Sequence, residues 1–322
     1  MNQTNAGPVI VVIPLFNEQA TVPQLIARTT AAIADFPDAT IQIVDDGSVD
    51  GTVDALRAAA ALPGSARIAV RRLSRNFGLQ RSIIAGLDAA VGRAPETASI
   101  VVMDGDLQDR PEDIPLLLRG LDRAEVACAT RATRRESLLF RILASVFYAM
   151  FQRWAHMNVP ANSGNFCALS RRAACTIVQN ADENVFFPGL RAWIGFRQTT
   201  IAIHRDQRAD GDSRMGYRRL VRLAIGALFG YSQLPLKLMV GLSAFSLSVS
   251  FVLATLMSLL RVIGRVEIQG IALLVVITLF CFSMVSVLLT TLAYMVSRSP
   301  APTQQRRLFV VNEDIQLRPI HP

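Results

Sequence analysis

The sequence predicts an α/β domain built on an open parallel sheet, followed by two helices long enough to cross a bilayer. Three observations predict it. Short runs of β-branched apolar residues alternate with segments of helical periodicity as far as residue 103. The strand-like runs end in acidic, glycine-containing clusters. The last third of the 322 residues holds two apolar stretches, 236–260 and 271–296, and a helix needs ~20 apolar residues to span the hydrocarbon.

Residues 9–14 form a continuous apolar run, as a parallel strand buried on both faces requires. Residues 21–34 place apolar side chains at helical spacing, and 41–44 read as a second strand leading into Asp45-Asp46-Gly47-Ser48. A helix over 52–62, a strand over 67–73 and a helix over 80–91 follow. Residues 99–103 then lead as a fourth strand into Asp104-Gly105-Asp106, and 126–129 is again strand-like. Ligands of such sheets bind beyond the carboxyl ends of the strands. The acidic clusters therefore mark the candidate site.

Residues 138–157 are amphipathic and rich in aromatic residues, with Arg141 and Arg153 on the polar side. That pattern suits a core-facing helix, a helix in the headgroup layer, or a subunit contact in a homo-oligomer. The expected organisation is a globular domain over 1–215, an amphipathic juxtamembrane helix over 216–234, two spans within 235–297, and a tail over 298–322. Proline and arginine in that tail predict a loosely ordered extension.

The net charge is +8 and the positive charge is almost all arginine, since Lys237 is the only lysine. No aromatic-rich basic motif or zinc spacing of a nucleic-acid module accompanies it, which argues against nucleic acid as a partner. Arginines instead flank the apolar stretches: Arg214, Arg218, Arg219 and Arg222 before them, Arg298, Arg306 and Arg307 after. Between the stretches stand only Arg261 and Arg265, offset by Glu267. By the positive-inside rule both termini face the cytoplasm, joined by a hairpin with a short outer loop. Cys128, Cys167, Cys175 and Cys281 lack metal or redox spacing, and no basic segment precedes the first apolar run to suggest a signal peptide. His156, His204 and His321 show no ligand spacing.

The most informative cluster is Asp104-Gly105-Asp106-Leu107-Gln108-Asp109. Carboxylates at i and i+2 just past a strand point the same way. Hard oxygen ligands that leave coordination positions open suit Mg²⁺ or Mn²⁺ shared with a substrate diphosphate. A D-x-D pattern alone is common in solvated turns. Its strand-end position and the second acidic strand end at Asp45-Asp46 make the metal reading the stronger one.

Four segments then occur in a recognisable order: Pro14-Leu15-Phe16-Asn17-Glu18; Val44-Asp45-Asp46-Gly47-Ser48 with Asp50 and Thr52; Ser74-Arg75-Asn76-Phe77-Gly78; and the 104–109 cluster with Pro111-Glu112. Together they resemble the family 2 glycosyltransferases of GT-A fold, and within them the polyisoprenyl-phosphate glycosyltransferases, such as dolichol-phosphate mannose synthase and bacterial undecaprenyl-phosphate enzymes. The resemblance covers almost the whole chain, including the two apolar stretches.

The resemblance implies that Pro14, Phe16, Glu18 and Asp46 line a nucleoside pocket. It implies that Asp104, Asp106 and Gln108 hold the metal and diphosphate, with Arg131 near the diphosphate. Arg208, Gly211, Ser213 and Arg214 match a basic loop that would receive the acceptor phosphate, and Arg suits bidentate phosphate contact. Two positions depart from the pattern. Asn165 stands where many relatives carry Asp, and Arg214 stands where Lys is commoner. Asn cannot act as a general base, which moves the expected chemistry toward attack by an already ionised phosphate.

The implied activity is metal-dependent, inverting sugar transfer from a nucleotide diphosphate sugar, UDP before GDP, to a polyprenyl phosphate at a bacterial cytoplasmic membrane. Two alternatives stay open on the residues alone. One is a non-processive transferase using a glycan or another glycolipid as acceptor, since Arg191-Ala192-Trp193 does not reproduce the Q-x-x-R-W of processive synthases. The other is a non-catalytic membrane scaffold that binds nucleotide sugar.

Overall fold

A computed structural model of the chain describes residues 7–36, 38–62, 64, 66–131, 163–182, 185–203, 234–263, 270–298 and 307–317. The predicted segments 138–157 and 218–231, and the loop carrying Arg208, Ser213 and Arg214, lie outside the described residues. The described strands are β1 (Val9–Leu15), β2 (Thr40–Asp45), β3 (Arg67–Leu73), β4 (Ser99–Val102), β5 (Val126–Arg131), β6 (Ser163–Ser170), β7 (Gln198–Ile203) and β8 (Val311–Gln316). They form one sheet in the order β7-β5-β6-β4-β1-β2-β3-β8.

β1 is buried along its whole length and pairs in parallel with β2 on one side and β4 on the other. Its alternate side chains feed two cores. Val9, Val11, Ile13 and Leu15 join Leu25 and Ile26 of α1 (Val22–Ala32) and Leu56 of α2 (Thr52–Ala60). Ile10 and Val12 join Ile83, Ile84 and Leu87 of α3 (Leu79–Arg93) on the opposite face. Each such side chain contributes roughly 1.5–3 kcal/mol by leaving water. Burial on both faces is why the strand reads as an unbroken apolar run. α3 lies so close to the sheet that a Cβ on Gly86 would stand 2.3 Å from Val12 Cγ1.

The fold class is as expected, a GT-A-like α/β sheet, with a mixed rather than wholly parallel pairing. β6 runs antiparallel to both β4 and β5, while β5 and β7 are parallel. The larger correction concerns the tail. Val311–Gln316, expected in a loosely ordered extension, is a strand antiparallel to β3 at the sheet edge. The physical cause is charge complementarity. Arg71 of β3 makes a two-armed ion pair with Asp314 at 2.9 and 3.0 Å, and Arg72 faces Glu313 at 3.4 Å. Burial depresses the charge on Arg71, but bonds to Asp314 and Asp88 outweigh it and raise its pKa.

By contacts the chain divides into two units, one of Met1–Leu223 with Arg307–Pro322, the other of Ala224–Arg306. The first unit is thus built from two separated stretches of sequence. The second contains α7 (Leu234–Val262) and α8 (Gly270–Arg298), packed against each other. Within α7, Met239–Val262 is long and apolar enough to cross a membrane, and the described part of α8 contains the shorter apolar run Ile277–Ala293. Between them the polarity is inverted relative to a soluble core. Hydroxyls meet inside, Ser243 with Thr290 at 3.3 Å and Ser246 with Ser283 at 2.8 Å, while Phe245, Phe251 and Leu288 are exposed. Small and hydroxylated residues between helices with large apolar ones outside is the arrangement lipid favours.

Candidate active site

The strand order reverses between β1 and β4, so a crevice opens beyond their carboxyl ends. Three loops meet there, following β1, β2 and β4. After β1 the chain turns through Asn17 in the left-handed region, φ 55°. The turn is stitched to the loop after β2: the Asn17 N–H donates to Ser48 Oγ (2.9 Å) and Asn17 Oδ1 accepts from the Val49 N–H (3.0 Å). At the next residue, the Glu18 N–H donates to Thr52 Oγ1 at 3.0 Å.

Asp45 and Asp46 are both buried. Asp45 Oδ1 accepts the Ser48 N–H at 3.0 Å, and its other oxygen forms an ion pair with Arg72 Nε at 3.2 Å. The pair lacks hydrogen-bond alignment, so its attraction is electrostatic. Asp46 reaches across to the loop after β3, accepting the N–H groups of Phe77 (2.8 Å) and Gly78 (2.9 Å) on its two oxygens. Gly78 has φ 91°, a conformation that favours glycine, and it begins α3. Burial raises the Asp46 pKa above the ordinary 3.8, and the two backbone donors only partly offset it.

The loop after β4 carries the acidic cluster. Gly105 sits where a Cβ would come within 2.3 Å of Leu15 Cδ2, so the loop lies directly on the end of β1. Leu107 is held at φ 58°, an uncommon backbone state for leucine of the kind that collects at functional sites. Asp106 Oδ1 accepts the Gln108 N–H at 3.1 Å, and Asp109, buried, accepts the Asp104 N–H at 3.3 Å. From β6 the Asn165 amide donates to Asp104 Oδ1 at 3.0 Å. The position where relatives often carry Asp therefore supplies a neutral donor to the acidic loop.

A residue without a sequence signal underlies that contact. Arg191 of α6 (Phe187–Trp193) is fully buried, with Nη1 donating to the Gly164 carbonyl at 3.2 Å and Nη2 to Ser163 Oγ at 3.0 Å. It thus anchors the two residues preceding Asn165. The nearby Cys167 is a buried, free thiol whose pKa burial pushes up to about 12, which leaves it without nucleophilic character.

The other expected site residues divide. Pro14 is buried in β1 opposite Val44, whereas Phe16 is 42% exposed at the mouth of the crevice. The Glu18 carboxylate accepts the Thr21 hydroxyl at 2.8 Å, at the start of α1. Glu112 makes a two-armed ion pair with Arg28 of α1, both contacts 2.8 Å, which depresses its pKa. Arg131 ends β5 opposite Ile203. Pro14, Phe16, Asp46, Asp104, Asp106 and Gln108 are thus gathered around adjoining strand ends, and Arg208, Ser213 and Arg214 fall outside the described residues.

The sequence profile described as Glycosyl transferase family 2 matches residues 10–177. An uncharacterized glycosyltransferase of Synechocystis sp. is 30% identical over 94% of both chains. The undecaprenyl-phosphate 4-deoxy-4-formamido-L-arabinose transferase of Serratia proteamaculans is 33% identical over 81% of this chain and 79% of its own. Among solved structures, glucosyl-3-phosphoglycerate synthase of Mycobacterium tuberculosis superposes with a TM-score of 0.46 at 18% identity, covering 69% of this chain and 79% of that one.

Proposed function

The chain belongs to glycosyl transferase family 2, and from that premise we propose that it moves a sugar from a nucleotide diphosphate onto a polyprenyl phosphate, undecaprenyl phosphate in a bacterium, at the cytoplasmic membrane face. The observation that carries the reading is the Asp104–Asp106 loop at the β1/β4 crevice, with the Asn165 amide on Asp104. The name of the Serratia relative, a transferase of undecaprenyl phosphate, supports the acceptor.

Among the described residues no three His, Cys, Asp or Glu side chains gather as metal ligands. Two carboxylates two residues apart nevertheless fit a hard divalent ion that keeps positions for substrate oxygens. Asp104 and Asp106, with Gln108, would hold Mg²⁺ or Mn²⁺, which when bound neutralises charge on the leaving diphosphate.

The protein's own residues do the rest by positioning. Pro14, Phe16 and Glu18 border the nucleoside, UDP in preference to GDP, and Asp46 shapes the same wall through Phe77 and Gly78. Arg131, Arg208, Ser213 and Arg214 receive the phosphates. Asn165 donates a hydrogen bond and accepts no proton, so the nucleophile must arrive ionised. A phosphate monoester, with a second pKa near ~6, does so at neutral pH. One phosphate oxygen bonds to the anomeric carbon as the bond from that carbon to the diphosphate breaks on the opposite face. The electron pair leaves with the nucleotide and configuration inverts. Orientation, more than deprotonation, is what such a nucleophile requires.

Connectivity supports the topology. β3 and β8 share one sheet while α7 and α8 lie between them in the chain. A chain that leaves that sheet and returns to it crosses a bilayer an even number of times, which favours reading α7 and α8 as a pair of crossings. The arginines that flank the apolar stretches in the sequence support a cytoplasmic sheet and cytoplasmic termini at a bacterial inner membrane.

The test uses membranes containing the protein, undecaprenyl phosphate and a panel of labelled nucleotide sugars. Label is expected in a lipid product from which mild acid releases the sugar, as a glycosyl phosphodiester requires. Label appearing only in an acid-stable glycolipid or glycan would replace this reading by the non-processive alternative.

Asp46 gives the donor side a pH signature. Its folded pKa lies above 3.8, so it takes up a proton earlier than an ordinary aspartate as pH falls. Protonation removes one of the two acceptors that hold Phe77 and Gly78, and nucleotide affinity is expected to weaken at pH values above the ordinary aspartate range. The sign for stability is opposite. A carboxyl with a raised folded pKa favours the fold at low pH and loses that contribution as pH rises through the folded value. Nucleotide titrations between pH 4.5 and 7.5 by calorimetry check this, with Asp46→Asn expected to bind about tenfold more weakly at pH 7 and without the acid limb.

A further inference from the structure

We propose that the segment following the membrane hairpin, β8 with the residues just before it, is a positioning element of the donor pocket, with Phe309 and Glu313 as its two points of action. The inference rests on the donor site proposed above. Two routes of successive contacts lead from this segment toward that site.

The first route is ionic. Glu313 pairs with Arg72 Nη1 at 3.4 Å, and the same guanidinium pairs through Nε with buried Asp45 at 3.2 Å. Asp45 in turn accepts the Ser48 N–H, and Ser48 Oγ accepts the N–H of Asn17 in the loop after β1. The second route is packing. The Ser74 N–H donates to the Val310 carbonyl at 2.9 Å, and Phe309 and Val311 pack with Phe77 against Val44, Leu73 and Ala85. Phe77 and Gly78 are the residues whose N–H groups Asp46 holds. The pairing register between β3 and β8 shifts between Arg72 and Leu73, where the two routes diverge.

This arrangement exceeds what closing a sheet edge requires. An edge strand satisfied by ladder hydrogen bonds needs neither an arginine shared with a buried carboxylate of the neighbouring strand nor an aromatic residue against the next loop. The donor pocket is therefore set by residues on both sides of the membrane hairpin in sequence, although Phe309 and Glu313 stand behind the residues that would meet the nucleotide.

The test uses the full chain in membranes or detergent. Phe309→Ala should accelerate amide exchange of the 74–78 segment by about tenfold or more, leaving the 104–109 segment unchanged. Uridine and guanosine diphosphate, titrated with Mn²⁺, should bind about tenfold more weakly to it where the parent binds them. In transfer assays the donor KM should rise by a similar factor, with kcat and the acceptor KM within about twofold, and Phe309→Leu should recover most of the loss. Glu313→Gln keeps the strand and should raise the donor KM about threefold at an unchanged melting temperature, which keeps the proposal testable if the alanine variant folds poorly. Unchanged exchange at 74–78, or a fall in kcat with donor KM constant, would overturn it. Exchange that responds in a protein whose parent form binds neither nucleotide would sustain the positioning role and count against the donor reading alone.

Discussion

Asp106→Asn is expected to slow sugar transfer by about 10³-fold, a barrier increase of roughly 4 kcal/mol, with a melting temperature within a degree or two of the parent. The amide keeps an acceptor for the Gln108 N–H, so the turn through Leu107 retains its local bond. What it loses is the negative charge of a half-buried side chain, two residues from Asp104 and distinct from the buried Asp45 and Asp46 that hold loops together. The substitution therefore separates chemistry from folding, which alanine at Asp46 or Asp109 would not. Initial rates of labelled lipid formation at saturating donor measure it. A rate within about fivefold of the parent would remove Asp106 from the metal and diphosphate role.

The second large effect is expected on stability. Arg191→Met should destabilise the first unit by about 3–5 kcal/mol, on the order of 10 °C in melting temperature. Among the described residues Arg191 is the largest fully buried side chain, and its guanidinium donates to both the Gly164 carbonyl and the Ser163 hydroxyl. Methionine fills part of the volume but removes the donor from the buried Ser163 hydroxyl and from the part-buried Gly164 carbonyl, and a hydrogen bond lost in the interior costs about 1–3 kcal/mol. Because Ser163 and Gly164 lead into Asn165, transfer at temperatures below both transitions should fall as well, by about tenfold. Arg191→Lys should recover less than half of the stability, since one ammonium cannot reproduce the two-armed geometry. A melting temperature within about 2 °C for the methionine variant would show that the guanidinium is not a structural anchor.

The contrast between these two residues shows what local sequence conveys. β1 to β4 were legible because a strand buried on both faces has to be apolar without interruption, and the acidic clusters follow directly from their ends. Ser163–Ser170 escaped the same reading since Ser-Gly-Asn carries no strand pattern; its pairing comes from β4 and β5. Val311–Gln316 escaped for a stronger reason. Its Asn, Glu and Asp resemble a solvated tail, and only the arginines of β3, 243 residues away, turn them into an edge strand. Arg191 is a lone charge in a short apolar helix, and nothing within a helical turn reveals that its acceptors lie on a strand 28 residues back. Asn165 was visible as a departure from the family pattern. Its role as donor to Asp104 needed the pairing of β6 with β4 to place it.

The separation between β3 and β8 also bears on how the protein is made. Ribosomes add ~5–20 residues per second, so on the order of ten to fifty seconds pass between synthesis of Arg71 and of its partner Asp314. During that interval β3 is an open edge, where Arg71 and Arg72 can meet Asp88 and Asp45 but not yet Asp314 and Glu313. α7 and α8 are synthesised within it, so the edge closes only after both apolar helices have been made. Nascent chains stalled in that step carry an unpaired strand edge, a feature prone to pairing with other chains and met by chaperones. Completion of the sheet is in this way tied to prior synthesis of the two apolar helices that precede β8.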